Sequence, residues 1–431
     1  MRDDGIVSTM APESAGQSRR TDKLALQRPY LQCRACLYDS RHPFGLTFDE
    51  TGLCSGCITH AEKTSLDWQA RFSMLERLVK PHRVRKGNYD CVIPIRGTAE
   101  YFHVVDVVKN QLGLNPLLVA FNSQFNSAAG IQNLDLIRDT FDCDILLKTQ
   151  SPQIYRKLIR ETLSRFGSVH WPFLAGHTVW PVRVAVQHQI PLIVWPVHQP
   201  TEQVGMFSYL DENEMTRRSR NEHDLMGFEA HQLASGESLL KDTDVLTSNY
   251  PSDRELAYIG VRGIYLSNYI PWDRRLYSES AVHQFSAQAA RCPGTFDTYD
   301  HVDNLVYMSI HDAIKRRKLG YGRVRDHLCQ EIRFGRISRA DAINIESTHN
   351  NIAQTESYLS ISQVFFDWLG MNRQAFEWLL NYHFGLDKIK NNNKTIELSS
   401  TQSKFLKGYL NNKKNIELEK KFILIGKGLK V

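Results

Sequence analysis

Residues 89–95 read Tyr-Asp-Cys-Val-Ile-Pro-Ile, and residues 96–101 read Arg-Gly-Thr-Ala-Glu-Tyr. The first segment has the short apolar run of a buried strand, and the second is a turn that leads into a helical pattern. Strand-like and helical segments then alternate as far as residue 195, which predicts an α/β fold with a parallel sheet and helices on both of its faces. The predicted strands are 89–95, 117–121, 144–147 and 191–195, and the predicted helices are 101–112, 128–140, 152–166 and 178–189.

The turn at 96–101 is the first candidate binding site. Ligands of parallel sheets bind at the carboxyl ends of the strands, and the start of a helix presents unpaired backbone N–H groups to an anion such as phosphate. An ordinary strand-to-helix turn also contains a single glycine, so the pattern alone leaves both interpretations open.

Four cysteines upstream of this strand form two pairs, Cys33 with Cys36 and Cys54 with Cys57. A gap of two residues lets both thiolates of a pair bind one tetrahedral ion, and two such pairs supply the four ligands of a structural Zn²⁺ site. Two disulfides or a redox pair are the alternatives, but they would need a secretory context or a thioredoxin-like setting, which we do not find. Four thiolates leave no open position for water, so catalytic zinc is disfavoured.

The pattern divides the chain into five regions. Residues 1–28 are polar and aperiodic and are predicted to be a disordered tail. The later regions are a zinc-binding module with a linker helix at 29–80, an α/β domain at 81–290, a helical subdomain at 291–386 and a Lys/Asn-rich tail at 387–431.

Charge is distributed unevenly along the chain. The whole chain carries +6, but residues 388–431 hold eleven Lys against three Glu, or +8, which leaves −2 for the rest. The near-neutral charge of the folded body therefore argues against a nucleic-acid partner. We find neither a membrane-spanning apolar stretch nor a signal peptide, which predicts a cytoplasmic protein.

Several motifs in this order resemble the N-acetyl sugar amidotransferase family. The resemblance runs from about residue 33 to residue 383 and is most specific at 319–327 and 331–335. It includes the cysteine pairs, Asp67-Trp68, the strand at 89–95, and the segments 130–133, 190–195, 264–273 and 296–299.

This resemblance implies a PP-loop ATP pyrophosphatase-like enzyme of lipopolysaccharide biosynthesis that uses ATP with Mg²⁺. Such an enzyme would convert an acetamido group of a nucleotide-activated N-acetyl sugar into an acetamidino group: ATP adenylates the amide oxygen, ammonia attacks the activated carbon, and AMP leaves. A glutaminase and cyclase-like pair would supply the ammonia. A catalytically inactive relative that binds sugar nucleotides or acts in assembly, and a tRNA-modifying PP-loop enzyme, are the alternatives.

The chain departs from the family in the PP-loop, where Ser-Gly-Gly-Lys-Asp-Ser is replaced by the residues at 96–101. Gly97 is retained, Glu100 keeps an acidic charge, Thr98 offers a hydroxyl, and Arg96 supplies a cation that can bind phosphate in bidentate fashion. By analogy with the family, we expect the nucleotide at Arg96, Gly97, Thr98, Glu100, Asn122 and Asn133.

The segment 319–335 supplies the candidate catalytic residues Arg323, Asp326 and His327. Spacings of three and four residues are predicted to place Arg323, Asp326, Gln330 and Arg333 on one helix face that holds sugar hydroxyls or diphosphate. A salt-bridged helix surface would show the same spacing. The candidate substrate-binding residues are Asp297, Tyr299, Tyr321 and Arg333.

Overall fold

The computed structural model describes residues 30–83, 88–236, 238–350 and 356–384, and two short segments at 415–416 and 422–423. The predicted disordered tail at 1–28 and most of the Lys/Asn-rich tail lie outside the described residues, and the proposed domain boundaries stay predictions.

The centre of the molecule is a five-stranded parallel sheet whose strands run in the order β4-β2-β1-β5-β6. Its strands are β1 (Cys91–Pro94), β2 (Pro116–Asn122), β4 (Ile145–Thr149), β5 (Leu192–Trp195) and β6 (Arg262–Tyr265). The predicted α/β class and all four predicted strands are confirmed, and β6 is an addition.

Seventeen α-helices lie in the described part of the chain. From the N-terminal side to β6 they are α1 (Ser55–Glu62), α2 (Trp68–Val79), α3 (Glu100–Asp106), α4 (Ala128–Phe141), α5 (Pro152–Phe166), α6 (Trp171–Gln187), α7 (Gln199–Val204), α8 (Arg217–Ser219), α9 (Ala230–Leu233), α10 (Asp242–Val245) and α11 (Asp253–Ile259). After β6 they are α12 (Arg274–Phe285), α13 (Leu305–Leu319), α14 (Val324–Arg333), α15 (Arg339–Asn350), α16 (Glu356–Leu369) and α17 (Arg373–Phe384).

Both faces of the sheet are covered by helices. Successive residues of each strand point to opposite faces, so neighbouring strand residues pack in different core clusters. Ile93 of β1 packs with Phe102 of α3 in one core cluster, whereas Val92 packs with Val179 of α6 in another. The first cluster continues into Cys33 of the cysteine module and Leu328 of α14. The cysteine module and the helical region are therefore joined to the sheet by a common core.

Two short strand pairs flank the main sheet. β3 (Asn126–Ser127) pairs antiparallel with β9 (Phe422–Ile423), and β7 (Ala289–Ala290) pairs parallel with β8 (Asn415–Ile416). None of the helices in the described ranges combines the length and the apolar composition of a membrane-spanning segment.

Candidate functional site

The cysteine module brings its four thiols together. The Sγ atoms of Cys33, Cys36, Cys54 and Cys57 all lie within 4.8 Å of one another. Cys33 and Cys57 are 3.9 Å apart, and Cys36 and Cys54 are 3.6 Å apart. A tetrahedral ion with zinc–sulfur bonds of about 2.3 Å needs sulfur–sulfur edges of roughly 3.8 Å, so the spacing fits Zn²⁺.

Backbone N–H groups also favour metal binding by this cluster. The N–H groups of Cys36 and Cys54 lie 3.4 and 3.3 Å from Cys33 Sγ, where each donates a hydrogen bond to the sulfur. These donors stabilise a thiolate, which is the form that binds zinc. Since all four ligand positions are protein sulfurs, the site suits a structural ion.

The turn after β1 is closely packed on one side. A Cβ atom at Gly97 would lie 2.1 Å from the carbonyl oxygen of Gly130, in the first turn of α4. Asn133 Nδ2 donates to the carbonyl oxygen of Gly97 at 3.0 Å. Glycine is therefore required at position 97 by contact with α4, whatever the turn binds.

The same turn holds two buried oxygen atoms without a hydrogen-bond partner. They are Thr98 Oγ1, in a fully buried residue, and Glu100 Oε2, in a residue that is 8% exposed. Burial raises the pKa of Glu100 to about 7, against the opposing charge of Arg274. This carboxyl group can therefore take up or release a proton near neutral pH.

Arg96 is held by acidic and imidazole groups from the loop before α13. Its Nη2 donates to Asp303 Oδ1 at 2.7 Å and to His301 Nδ1 at 2.6 Å, and its Nε donates to Asp303 Oδ2 at 3.1 Å. Burial holds the pKa of His301 well below its usual value, which suits a neutral ring that accepts from Arg96. The cation predicted to bind phosphate is therefore already paired with a carboxylate.

Asp297 organises this loop from inside the core. Its Oδ1 accepts from the N–H groups of Tyr299 at 2.9 Å and Asp300 at 2.7 Å, and its Oδ2 pairs with Arg274 Nη2 at 2.7 Å. Burial alone would raise the pKa of Asp297, but the charge of Arg274 brings it well below its usual value. Tyr299 is also buried, so two of the four predicted substrate-binding residues, Asp297 and Tyr299, lie inside the core beneath the loop.

Arg323, the residue before α14, and His327, in the first turn of α14, both face this loop. His327 Nδ1 lies 2.6 Å from Thr295 Oγ1, and His327 Nε2 lies 2.9 Å from Asp300 Oδ2. Arg323 is 4% exposed, and its Nη2 donates to the carbonyl oxygen of Pro293 at 3.3 Å. Its Nε and Nη1 have no hydrogen-bond partner, so a buried guanidinium presents free donors.

A continuous polar chain connects α14 with the turn after β1. From His327 it passes to Asp300, then to His301 Nε2, which lies 3.4 Å from Asp300 Oδ1, and from His301 to Arg96. The chain joins residues that are far apart in sequence at the carboxyl end of β1. We regard this region, with Thr98 and Glu100, as the candidate active site.

Asp326 and Arg333 contact different parts of the protein from Arg323. Asp326 binds Lys315 and accepts from Tyr38 Oη at 2.9 Å, and Arg333 Nη1 donates to the carbonyl oxygen of Gln203 at 2.8 Å. Arg333 Nη2 also lies 3.8 Å from Cys54 Sγ, so both residues contact the cysteine module, whereas Arg323 contacts the loop before α13. Tyr321 is fully buried beneath the guanidinium of Arg325, 4.1 Å from the ring centre.

The two asparagines predicted to bind nucleotide make contacts within the protein. Asn133 Nδ2 donates to the carbonyl oxygens of Gly97 and Gln288, and its Oδ1 accepts from Gln288 N. Asn122 Oδ1 accepts from Gln124 N and Asn126 Nδ2. Both side chains support the turns around the site, which leaves little hydrogen-bonding capacity for a base or ribose.

Sequence reasoning missed Arg274, Thr295, Asp300, His301 and Asp303. A signal was present, since residues 297–303 read Asp-Thr-Tyr-Asp-His-Val-Asp, a dense group of acidic and imidazole side chains. Only the fold shows that this segment meets the turn after β1.

One family model matches the chain, over residues 293–414, and is described as LPS biosynthesis protein WbpG-like, C-terminal domain. Its match begins in the loop that holds Asp297 and Asp300 and includes α13 and α14, although it covers less than a third of the chain. No curated protein matches the chain. The family match supports a connection between this protein and lipopolysaccharide biosynthesis.

Proposed function

We propose that this protein is an ATP-dependent, amidotransferase-like enzyme of lipopolysaccharide biosynthesis. Its substrate is a nucleotide-activated N-acetyl sugar, whose acetamido group becomes an acetamidino group. The family match at 293–414 supports the pathway, and the motif resemblance over residues 33–383 supports the type of reaction.

The observation that carries this proposal is the pair of unpartnered oxygens, Thr98 Oγ1 and Glu100 Oε2, in the turn after β1. Buried polar atoms are nearly always hydrogen-bonded, and a group without a partner is costly. In a parallel sheet this is also the edge where ligands bind. A bound substrate group or water at this turn would remove the cost.

The proposed chemistry replaces a poor leaving group by a good one. The amide oxygen attacks the α-phosphorus of ATP and releases pyrophosphate. Ammonia then attacks the activated carbon, and AMP departs with the former amide oxygen. Ammonia comes from a partner of the glutaminase and cyclase-like type.

Within this scheme Glu100 accepts a proton from the attacking nitrogen, since its carboxyl group is buried and its pKa is about 7. The free donors of Arg323 hold an oxyanion of the sugar nucleotide, and His327 keeps Asp300 oriented through their hydrogen bond. Asp326 acts at a distance, by fixing α14 against Lys315 and Tyr38.

A non-catalytic relative that binds a sugar nucleotide is the second candidate. Two contacts favour it: Gly97 is packed against Gly130, and Arg96 is paired with Asp303. Both contacts use groups that an active PP-loop would direct at phosphate. The free donors of Arg323 would serve a binding protein equally well.

A product assay separates these candidates. The zinc-loaded chain is incubated with ATP, Mg²⁺, ammonium and a panel of UDP-linked N-acetyl sugars, and AMP and amidine are measured. We expect AMP to form only with the correct sugar, and Glu100→Gln to lower kcat by roughly 100-fold, as expected for the loss of a general base. Glu76→Gln, at an exposed position on α2, is the control.

Absence of AMP and amidine with every sugar, combined with measurable binding of one of them, would support the binding protein instead. Full activity of the Glu100→Gln variant would leave the enzyme proposal standing but remove the role given to Glu100.

A further inference from the structure

Helix α14 contacts both the candidate active site and the cysteine module. Arg323 and His327 face the candidate active site, whereas Arg325, Asp326 and Arg333 face the cysteine module. At 3.6 residues per turn, residues 325, 326 and 333 fall within roughly 100° of one another around the helix axis, so one side of the helix can carry all three. The helix therefore separates the two sites and contacts both.

Arg333 makes the closest approach from this helix to the metal ligands. Its Nη2 lies 3.8 Å from Cys54 Sγ, within hydrogen-bonding distance for sulfur. The space for the guanidinium exists because residue 56, between two ligands, is glycine: a Cβ at Gly56 would lie 2.2 Å from Arg333 Nη2. Arg333 also lies over the ring of Tyr38, 5.4 Å from its centre.

The electrostatic reason for this contact is the charge of the metal centre. Four thiolates around one Zn²⁺ carry a formal charge of minus two, which is costly inside a protein core unless it is neutralised. Cys33, Cys36 and Cys54 are fully buried. A guanidinium at Cys54 Sγ supplies both a positive charge and a hydrogen bond to the thiolate.

Further contacts join the loop at 33–41, which carries the first cysteine pair, to helices α14 and α15. Tyr38 Oη donates to Asp326 at 2.9 Å, and Arg325 Nη1 donates to Asp39 Oδ2 at 2.9 Å. Arg339 of α15 donates to the carbonyl oxygen of Cys36 at 3.1 Å. The loop that carries the first cysteine pair is thus held at residues 36, 38 and 39 by charged or phenolic groups.

We propose that Arg333 neutralises the zinc centre and that zinc, through Arg333 and the loop at 33–41, fixes the orientation of α14. In this view the zinc module is a positioning device for Arg323 and His327, which contact the loop before α13. Arg333 is a positioning residue and contacts no substrate. This inference does not depend on the proposed reaction.

The rate of zinc release from the full-length, zinc-loaded chain tests whether Arg333 stabilises the zinc centre. With a chelator in excess, we expect Arg333→Met to release zinc at least roughly tenfold faster than the wild type, because loss of a group that supports a metal ligand weakens binding by about this factor or more. Arg333→Lys keeps the charge and should lie between the two. The control is Arg336→Met, whose guanidinium binds Asp273 and Glu331 and no cysteine.

Hydrogen exchange of the wild-type chain tests whether zinc fixes the orientation of α14, and it needs no variant. We expect zinc removal to increase amide exchange in residues 324–333 as well as in 33–57, with β1 at 91–94 unchanged. Wild-type release rates in Arg333→Met, equal acceleration in Arg336→Met, or unchanged exchange in α14 after zinc loss would each overturn the proposal.

Discussion

At the scale of single residues, Glu100 has the most unusual environment of the candidate site. It lies at the start of α3 with one carboxyl oxygen unpartnered, and burial raises its pKa to about 7. A surface glutamate would titrate near about 4.3. The folded state therefore favours the protonated form of this side chain.

This shift predicts a pH-dependent stability difference between the wild type and Glu100→Gln. Because the folded pKa is raised, the stability that protonated Glu100 contributes is present below about pH 4.5 and is lost as pH rises through about 7. The variant should therefore gain about 3 kcal/mol relative to the wild type between about pH 4.5 and pH 8. Urea unfolding at both pH values measures this, with Glu76→Gln as control. A constant difference across this range would contradict it.

Sequence spacing grouped Arg323 with Asp326, Gln330 and Arg333 on one helix face, and His327 was a separate candidate from the same segment. Spacings of three and four place residues on neighbouring parts of a helix surface, but they do not say which neighbour each part meets. Here the cysteine module contacts one side of α14 and the loop before α13 contacts another. Only the tertiary structure shows which of these regions each side chain contacts.

At the scale of elements, the alternation of apolar and helical segments predicted most of the fold. Helix α5 spans the predicted residues 152–166, whereas α6 begins at Trp171, seven residues before the predicted start. The strand β6 and the short helices between Gln199 and Ile259 were not predicted, because their segments are too short to show a clear period.

The contact between the turn after β1 and α4 predicts a strong effect of Gly97→Ala. Its methyl group would lie 2.1 Å from the carbonyl oxygen of Gly130, so one of the two segments must move. We expect a loss of roughly 2–4 kcal/mol in the free energy of unfolding, measured by urea titration.

Gly227→Ala is the matched control for this change. Gly227 has a positive φ of 82°, but no atom lies within 4 Å of an added Cβ. It should lose only about 1 kcal/mol, from backbone strain. Equal losses in the two variants would contradict the close packing at Gly97.

At the scale of the whole molecule, charge and cysteine environment bear on the tRNA-modifying alternative. The whole chain has a net charge of +6, and the tail at 388–431 alone has +8. Residues 1–387 therefore have a net charge of −2. Burial raises the pKa of Cys143, at the sheet edge before β4, so this thiol is a poor nucleophile at neutral pH. Neither property fits an enzyme that binds tRNA on its folded body.

We therefore expect a chain that ends at residue 387 to show no specific binding to tRNA at about 0.15 M salt. Any binding by the full-length chain should come from the basic tail and fall steeply as salt increases. Fluorescence anisotropy with labelled tRNA measures both forms. Binding of equal strength without the tail would favour a nucleic-acid function.

Transfer of the amide oxygen tests the proposed reaction most directly. A sugar nucleotide labelled with heavy oxygen in its acetyl carbonyl is incubated with the zinc-loaded chain, ATP, Mg²⁺ and ammonium, and the products are analysed by mass spectrometry. Our account predicts that the label appears in AMP and that the sugar becomes an amidine. Unlabelled AMP beside an amidine product, or no AMP with any N-acetyl sugar, would contradict it.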